Sequence, residues 1–226
     1  MTMLELNSIE ISYGKKDVIK NLTFSIEKGE TIGILGKNGA GKTTLFNAIY
    51  GLTNFKGEIN YDNIPLKPSK VAFVETENFF YPYIKGKEYI NFFNSERKNI
   101  IQLINAFDIS LDEFIHNFST GMKKKLAIIA NIIMDKPIIV LDEPFNGLDF
   151  ESVEKLYLLL QKIKNDNRII FISSHILETL KNCCDKIIHI EKGTIKQIYS
   201  KSEFELIEKV IRTEIKDDFS EINNAW

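Results

Sequence analysis

The chain has 226 residues, 44% hydrophobic and 27% charged, with 29 basic against 31 acidic side chains and a formal charge of −2. That length suits one domain with a full hydrophobic core, and the near-neutral balance argues against nucleic acid or anionic lipid as its ligand. No apolar run approaches the roughly 20 residues that cross a bilayer, and the opening MTMLELNSIEIS has no basic region followed by an apolar core, so no secretory signal is expected. The two cysteines, Cys183 and Cys184, are neighbours, a poor basis for a disulfide. A reduced, cytosolic protein follows, and the pair is assigned no function.

In chain order, Leu4–Ser12 alternates apolar and polar residues, and Leu22–Ile26 does so again. Both patterns predict half-buried strands of an antiparallel sheet. Thr31–Leu35 is a short apolar strand. Lys42–Leu52 continues as a helix with Leu45, Ala48, Ile49 and Leu52 on one face. Gly57–Tyr61 and Val71–Val74 read as strands. From about Phe79 to Met134 the pattern becomes helical, with Tyr89, Ile90, Phe93, Ile101 and Ile104 as its apolar repeats. Strand–helix alternation returns with Ile138–Leu141, Val153–Ile163, Arg168–Ser173, Ile176–Cys183 and Lys186–Ile190. Such alternation implies a mainly parallel sheet covered by helices. The expected organisation is one domain over residues 1–226, with a helical lobe at about 76–135 and a C-terminal helix and polar tail at 203–226.

Two segments carry chemistry. Gly36-Lys37-Asn38-Gly39-Ala40-Gly41-Lys42-Thr43 fits GxxxxGK[ST], with a strand before it and a helix beginning at Lys42 and running on through Thr44. Backbone N–H groups of such a loop turn inward on phosphates at a helix N-terminus. Lys42 would bridge the β- and γ-phosphates of ATP, and the Thr43 hydroxyl would ligate Mg²⁺. The alternative, a Gly-rich turn with a solvated lysine, does not account for the flanking elements. The second segment is the strand Ile138–Leu141, which delivers Asp142 and Glu143 to its carboxyl end, the edge where open α/β sheets bind ligands. Asp142 would hold Mg²⁺ and Glu143 would polarise the attacking water.

Together with FSTGMKKKLAIIANIIMDKPIIVLDEPFNGLD at Phe118–Asp149, this order resembles the ATP-binding subunit of ABC transporters over about Leu4 to Thr194. The resemblance implies a P-loop NTPase core of α/β class, with a mainly parallel sheet, an antiparallel β subdomain and a helical subdomain. It implies ATP hydrolysis with Mg²⁺, and two copies, or a copy and a similar ATPase, closing around two ATP. The family signature, usually LSGGQ, caps the γ-phosphate bound on the opposite subunit. Phe118-Ser119-Thr120-Gly121-Met122 occupies its place and departs at three of five positions while keeping Ser119 and Gly121. Ser119 reads as a helix N-cap, and an ordinary capped helix is the bland alternative for these five residues alone. Asn146-Gly147-Leu148-Asp149 is similar to the D-loop, which crosses the dimer interface. His175 after Ser173-Ser174 is similar to the switch histidine at the γ-phosphate. Tyr13 matches the aromatic that stacks on adenine, and a strand-end tyrosine is its structural alternative.

The family's Q-loop glutamine is missing: the chain reads Glu75-Thr76-Glu77 after Val71–Val74. The residue in that role is left open, with Glu77 favoured as a metal-side ligand. The following FFYPYIKGKEYINFF resembles subunits of bacterial antibiotic, bacteriocin and drug exporters. It would form a groove for a helix of a separate transmembrane permease, and its aromatics fit the core of the helical lobe equally well. The implied location is cytoplasmic, peripheral on the inner face of the membrane, with no nucleic acid partner. Two other functions compete. A P-loop small-molecule kinase explains the phosphate loop but not Phe118–Met122, Glu143 or His175. A soluble ABC-type ATPase of translation or DNA repair usually has paired ATPase units or long coiled-coil insertions, and neither is visible here.

Overall fold

A computed structural model describes residues 3–93 and 100–223, with side chains described as far as residue 213. Along β1 (Met3–Tyr13) Leu4, Leu6, Ile9 and Ile11 are buried. The alternation slips once, at Asn7-Ser8, where the register against β2 (Lys16–Glu27) shifts and Ser8 takes a φ of 52°. An extra residue at that point restores the apolar face inward. β4 (Lys56–Tyr61) pairs on the other side of β1 and is followed by β5 (Ile64–Pro65), giving an antiparallel sheet of order β2-β1-β4-β5.

The second sheet has the order β10-β9-β3-β8-β7-β6. Its members are β3 (Thr31–Leu35), β6 (Val71–Val74), β7 (Ile138–Leu141), β8 (Ile169–Ser174), β9 (Lys186–Glu191) and β10 (Thr194–Ser200). Every pair is parallel except β10 on β9. β3, β6, β7 and β8 are buried at every residue, as expected of strands covered on both faces. Successive side chains still divide between two cores. Ile139, Leu141, Ile170 and Ile172 face α4 (Thr120–Ile133), α5 (Phe150–Lys164) and α6 (Leu177–Cys183). Ile138, Val140, Ile169 and Phe171 face the antiparallel sheet and α1 (Lys42–Tyr50). There Phe46 meets Phe73 and Phe171 edge-on, with ring centroids 6.5 and 6.0 Å apart.

Between β6 and β7 lie α2 (Gly86–Asn91), α3 (Ile100–Ala106) and α4. The stretch Phe79–Lys85, expected to be helical, is instead turns and extended chain, and residues 94–99 of the expected helical stretch lie outside the described residues. The aromatics divide: Phe80, Tyr89 and Phe93 pack against the core, whereas Phe79, Tyr81, Tyr83 and Phe92 are exposed. Several elements differ from the sequence reading. α1 ends at Tyr50 on Gly51 in the left-handed conformation, so Leu52 leaves the buried face and is exposed. β10 is an additional strand. Finally, α7 (Phe204–Asn223) is helical through most of the stretch read as a polar tail, whose last residues, 224–226, lie outside the described residues.

One consequence of the sheet order positions the site. β3, β8, β7 and β6 are neighbours and parallel, with Leu35 level with Ser174, Ile172 with Leu141, and Leu141 with Val74. The segments that follow them therefore emerge side by side at one carboxyl edge. These segments are the Gly36–Thr43 loop, His175, Asp142-Glu143 and Glu75–Glu77.

Candidate functional site

At that edge is a cleft of ≈ 580 Å³ lined by Tyr13, Lys16, Val18, Asn38, Gly39, Gly41, Lys42, Thr43, Thr44, Thr76, Asp142, Glu143, Asn146 and His175. Gly36, Lys37 and Ala40 form the back of the loop and line smaller hollows behind it. Gly41 stands at the N-terminus of α1 with φ 106°, and a Cβ there would lie 2.6 Å from Ile19 Cδ1. Only glycine fits both constraints. No side chain caps α1, so its first N–H groups are free of side-chain acceptors and the helix end favours an anion. Lys42 is buried, donates to the Gly36 carbonyl (2.8 Å) and stands 3.8 Å from Glu143 Oε1.

The carboxylates are held by a network of hydrogen bonds. Asp142 is fully buried, and Oδ2 accepts from Thr43 Oγ1 (2.7 Å) and Thr76 Oγ1 (2.8 Å). Its Oδ1 accepts from Ser173 Oγ, which in turn accepts from the Glu143 backbone N–H (2.8 Å). Glu143 holds a φ of 48°, a left-handed conformation costing a non-glycine residue about 1–3 kcal/mol. His175 Nδ1 donates to Glu143 Oε2 (3.1 Å), since a carboxylate can only accept. Glu143 is thus held between an imidazole and an ammonium, with its carboxylate lining the cleft.

The donor set fits a hard divalent cation. Thr43, Thr76 and Asp142 offer three converging oxygens, while no group of three or more His, Cys, Asp or Glu suited to a metal occurs among the described residues. Mg²⁺ is commonly held by one or two carboxylates together with substrate phosphates and water. Glu77, the favoured sequence candidate, does not line the cleft, and neither does Glu75. Thr76 between them does line it and reaches Asp142, because β6 runs level with β7 and its second following residue comes opposite that carboxylate.

Residues 19–146 match the ABC transporter family. The chain belongs to that family. It is an ATP-binding subunit and an ATP hydrolase. The lantibiotic transport ATP-binding protein SrtF of Streptococcus pyogenes is 30% identical over 203 residues, covering 85% of this chain and 89% of SrtF. Among solved structures, the ATP-binding subunit of an ABC transporter superposes with a TM-score of 0.83 at 27% identity, covering 88% of this chain and 90% of that one. The post-hydrolysis dimer of the ATP-binding cassette MJ0796, bound to ADP and Pi, shares the fold at 22% identity, with a TM-score of 0.78 over 88% of this chain and 98% of that chain.

Against this family the remaining segments can be placed. Ser119 caps α4, its hydroxyl accepting from Met122 N (3.2 Å). Leu126, Ile129 and Ile133 behind it are buried, while Met122 is partly buried. Ser119, Thr120, Gly121 and Met122 do not line the cleft. Gly121 instead abuts the chain's own Gly147, where an added Cβ would lie 2.6 Å from the carbonyl oxygen. Asp149 caps α5, accepting from Ser152 N (2.8 Å). Tyr13 stands at the rim, 51% exposed, with its hydroxyl 3.1 Å from Thr53 Oγ1. Two lining residues escaped the sequence reading, Lys16 and Val18, while Asn146 of the D-loop-like segment and Thr76 of the open Glu75–Glu77 stretch also line the cleft. For Lys16 a signal existed, the basic turn Gly14-Lys15-Lys16 following Tyr13.

Proposed function

We propose that this subunit closes, as a homodimer or with a similar ATPase, around two ATP molecules and powers export through a separate membrane permease. The observation that carries the proposal is the division of the parts. Lys42, Asp142, Glu143 and His175 share one cleft, whereas Ser119 and Gly121 stand outside it. A second copy, turned head to tail, would supply the missing donors to the γ-phosphate. In this reading the Gly36–Thr44 loop and Lys42 hold the triphosphate, and Thr43, Asp142 and Thr76 hold Mg²⁺, which would offset charge on the β- and γ-phosphates when bound. Glu143 orients and polarises the attacking water, with His175 fixing its carboxylate. Tyr13 stacks on the base, and Asp149 belongs to the loop that crosses the interface.

Export is supported by the kinship with SrtF, named for lantibiotic transport. The exposed Phe79, Tyr81 and Tyr83 offer an aromatic face of the kind that receives an apolar partner helix. No described helix is long and apolar enough to cross a membrane, so the path for the transported molecule belongs to the permease. The subunit would then sit on the cytoplasmic face of the membrane. Phosphate release from Mg-ATP tests the proposal: the rate per chain should rise with protein concentration as dimers form, and Lys42→Ala should abolish it. A rate per chain independent of concentration over the range where the protein is monomeric would refute the shared site.

A further inference from the structure

Lys124 is 4% exposed, although its neighbours Leu126, Ala127 and Ile128 on α4 are core residues and an apolar side chain would fill the same space. A buried ammonium persists only where acceptors and opposite charge hold it. Its Nζ donates to the carbonyls of Glu75 (3.0 Å) and Thr76 (2.6 Å). Burial draws its pKa down, while the charges of Asp142, Glu143 and Glu77 draw it back up. The two carbonyls belong to the turn whose Thr76 hydroxyl reaches Asp142, and Asp142 Oδ2 also accepts from Thr43 of the phosphate loop. Four hydrogen bonds therefore run from α4 through the turn and the carboxylate to the phosphate loop. Ser119 caps the same helix five residues before Lys124.

We infer that Lys124 is a positioning residue: by holding the Glu75-Thr76 turn it sets the Thr76 hydroxyl against Asp142. The same contact ties the helix bearing Ser119 and Gly121 to the carboxylate side of the nucleotide cleft. This rests on the reading of that cleft as an ATP site. The stretch Glu75–Glu77, where the resemblance expects a glutamine, has its backbone fixed by the ammonium clamp. Loss of the clamp loosens the turn and the metal side of the cleft. The phosphate loop and Tyr13 remain intact, so nucleotide affinity is little affected.

The test is steady-state phosphate release by the full chain, titrated separately in Mg-ATP and in free Mg²⁺. Lys124→Met should lower kcat about tenfold or more, leave KM for Mg-ATP within about threefold and raise the Mg²⁺ needed for half-maximal rate severalfold. Because Lys124 acts through Thr76, the double variant with Thr76→Val should be no slower than the slower single variant within about twofold. Lys124→Gln, which keeps an amide donor, carries the same test should Lys124→Met fail to fold, as read by thermal melting. Wild-type kcat and Mg²⁺ dependence in the folded variant, or losses that multiply in the double variant, would overturn the inference. A wild-type chain whose phosphate release is indifferent to Lys42→Ala would instead defeat the ATP-site reading beneath it.

Discussion

Asp142 is the residue on which the site's hydrogen bonds converge: two threonine hydroxyls meet one of its oxygens and Ser173 the other. Its place at the sheet edge was legible from the apolar strand before it, whereas its partner Thr76 was only one of three residues left open at Glu75–Glu77. Glu75 and Glu77 look more like metal ligands in a string of letters, and only the level pairing of β6 with β7 brings the threonine opposite the carboxylate. Thr76 is exposed, so the lower end of the range for a hydrogen bond to a charged group, about 1.5 kcal/mol or tenfold, is expected. Thr76→Val should lower kcat/KM by that factor and raise the Mg²⁺ requirement, while Glu77→Gln should stay within about twofold of wild type. Equal effects of the two changes in a Mg²⁺ titration would restore the acid to the site. Tyr13 stands at the rim of the cleft, where its hydroxyl also has a local partner in Thr53. Tyr13→Ala should weaken nucleotide binding by about 1–3 kcal/mol if it stacks on the base. Calorimetry showing unchanged affinity would leave it as a strand-end residue.

At the scale of elements, periodicity worked where strands and helices are regular and failed where they are not. β7 and β8 read clearly because both faces are covered. β10 escaped because its register against β9 shifts between Ile195 and Gln197. The apolar Ile195, Ile198 and Tyr199 therefore break the two-residue rhythm. Ser119 was read as a helix cap and is one, whereas Asp149, read only in a D-loop-like segment, caps α5, which begins at Phe150 rather than at the expected Val153. Asp149 also yields a pH prediction. The Ser152 backbone N–H, and then its hydroxyl, hold the Asp149 carboxyl below its ordinary pKa. A carboxylate depressed in the folded state stabilises above its unfolded pKa, and that contribution fades as pH falls through the folded value. Asp149→Ala should lower Tm at pH 7, and the gap from wild type should close below the usual carboxylate range. A gap that persists unchanged in acid would show that the loss is not the charged cap.

For the whole molecule, the central claim is that one chain holds only half of each catalytic site. In the proposed site, Glu143 is the residue whose change would separate binding from turnover. Glu143→Gln keeps the side chain's shape and its place between Lys42 and His175, but removes the carboxylate proposed to polarise water, and should slow hydrolysis by about 10²–10⁴-fold. ATP bound without being consumed should then hold two copies together. Sedimentation of Glu143→Gln at fixed protein concentration, empty, with Mg-ADP and with Mg-ATP, tests this most directly. The expected result is a monomer in the first two conditions and a dimer in the third, lost again when Ser119→Arg blocks the trans contact. A Glu143→Gln chain that binds Mg-ATP with undiminished affinity yet sediments as a monomer would contradict the account.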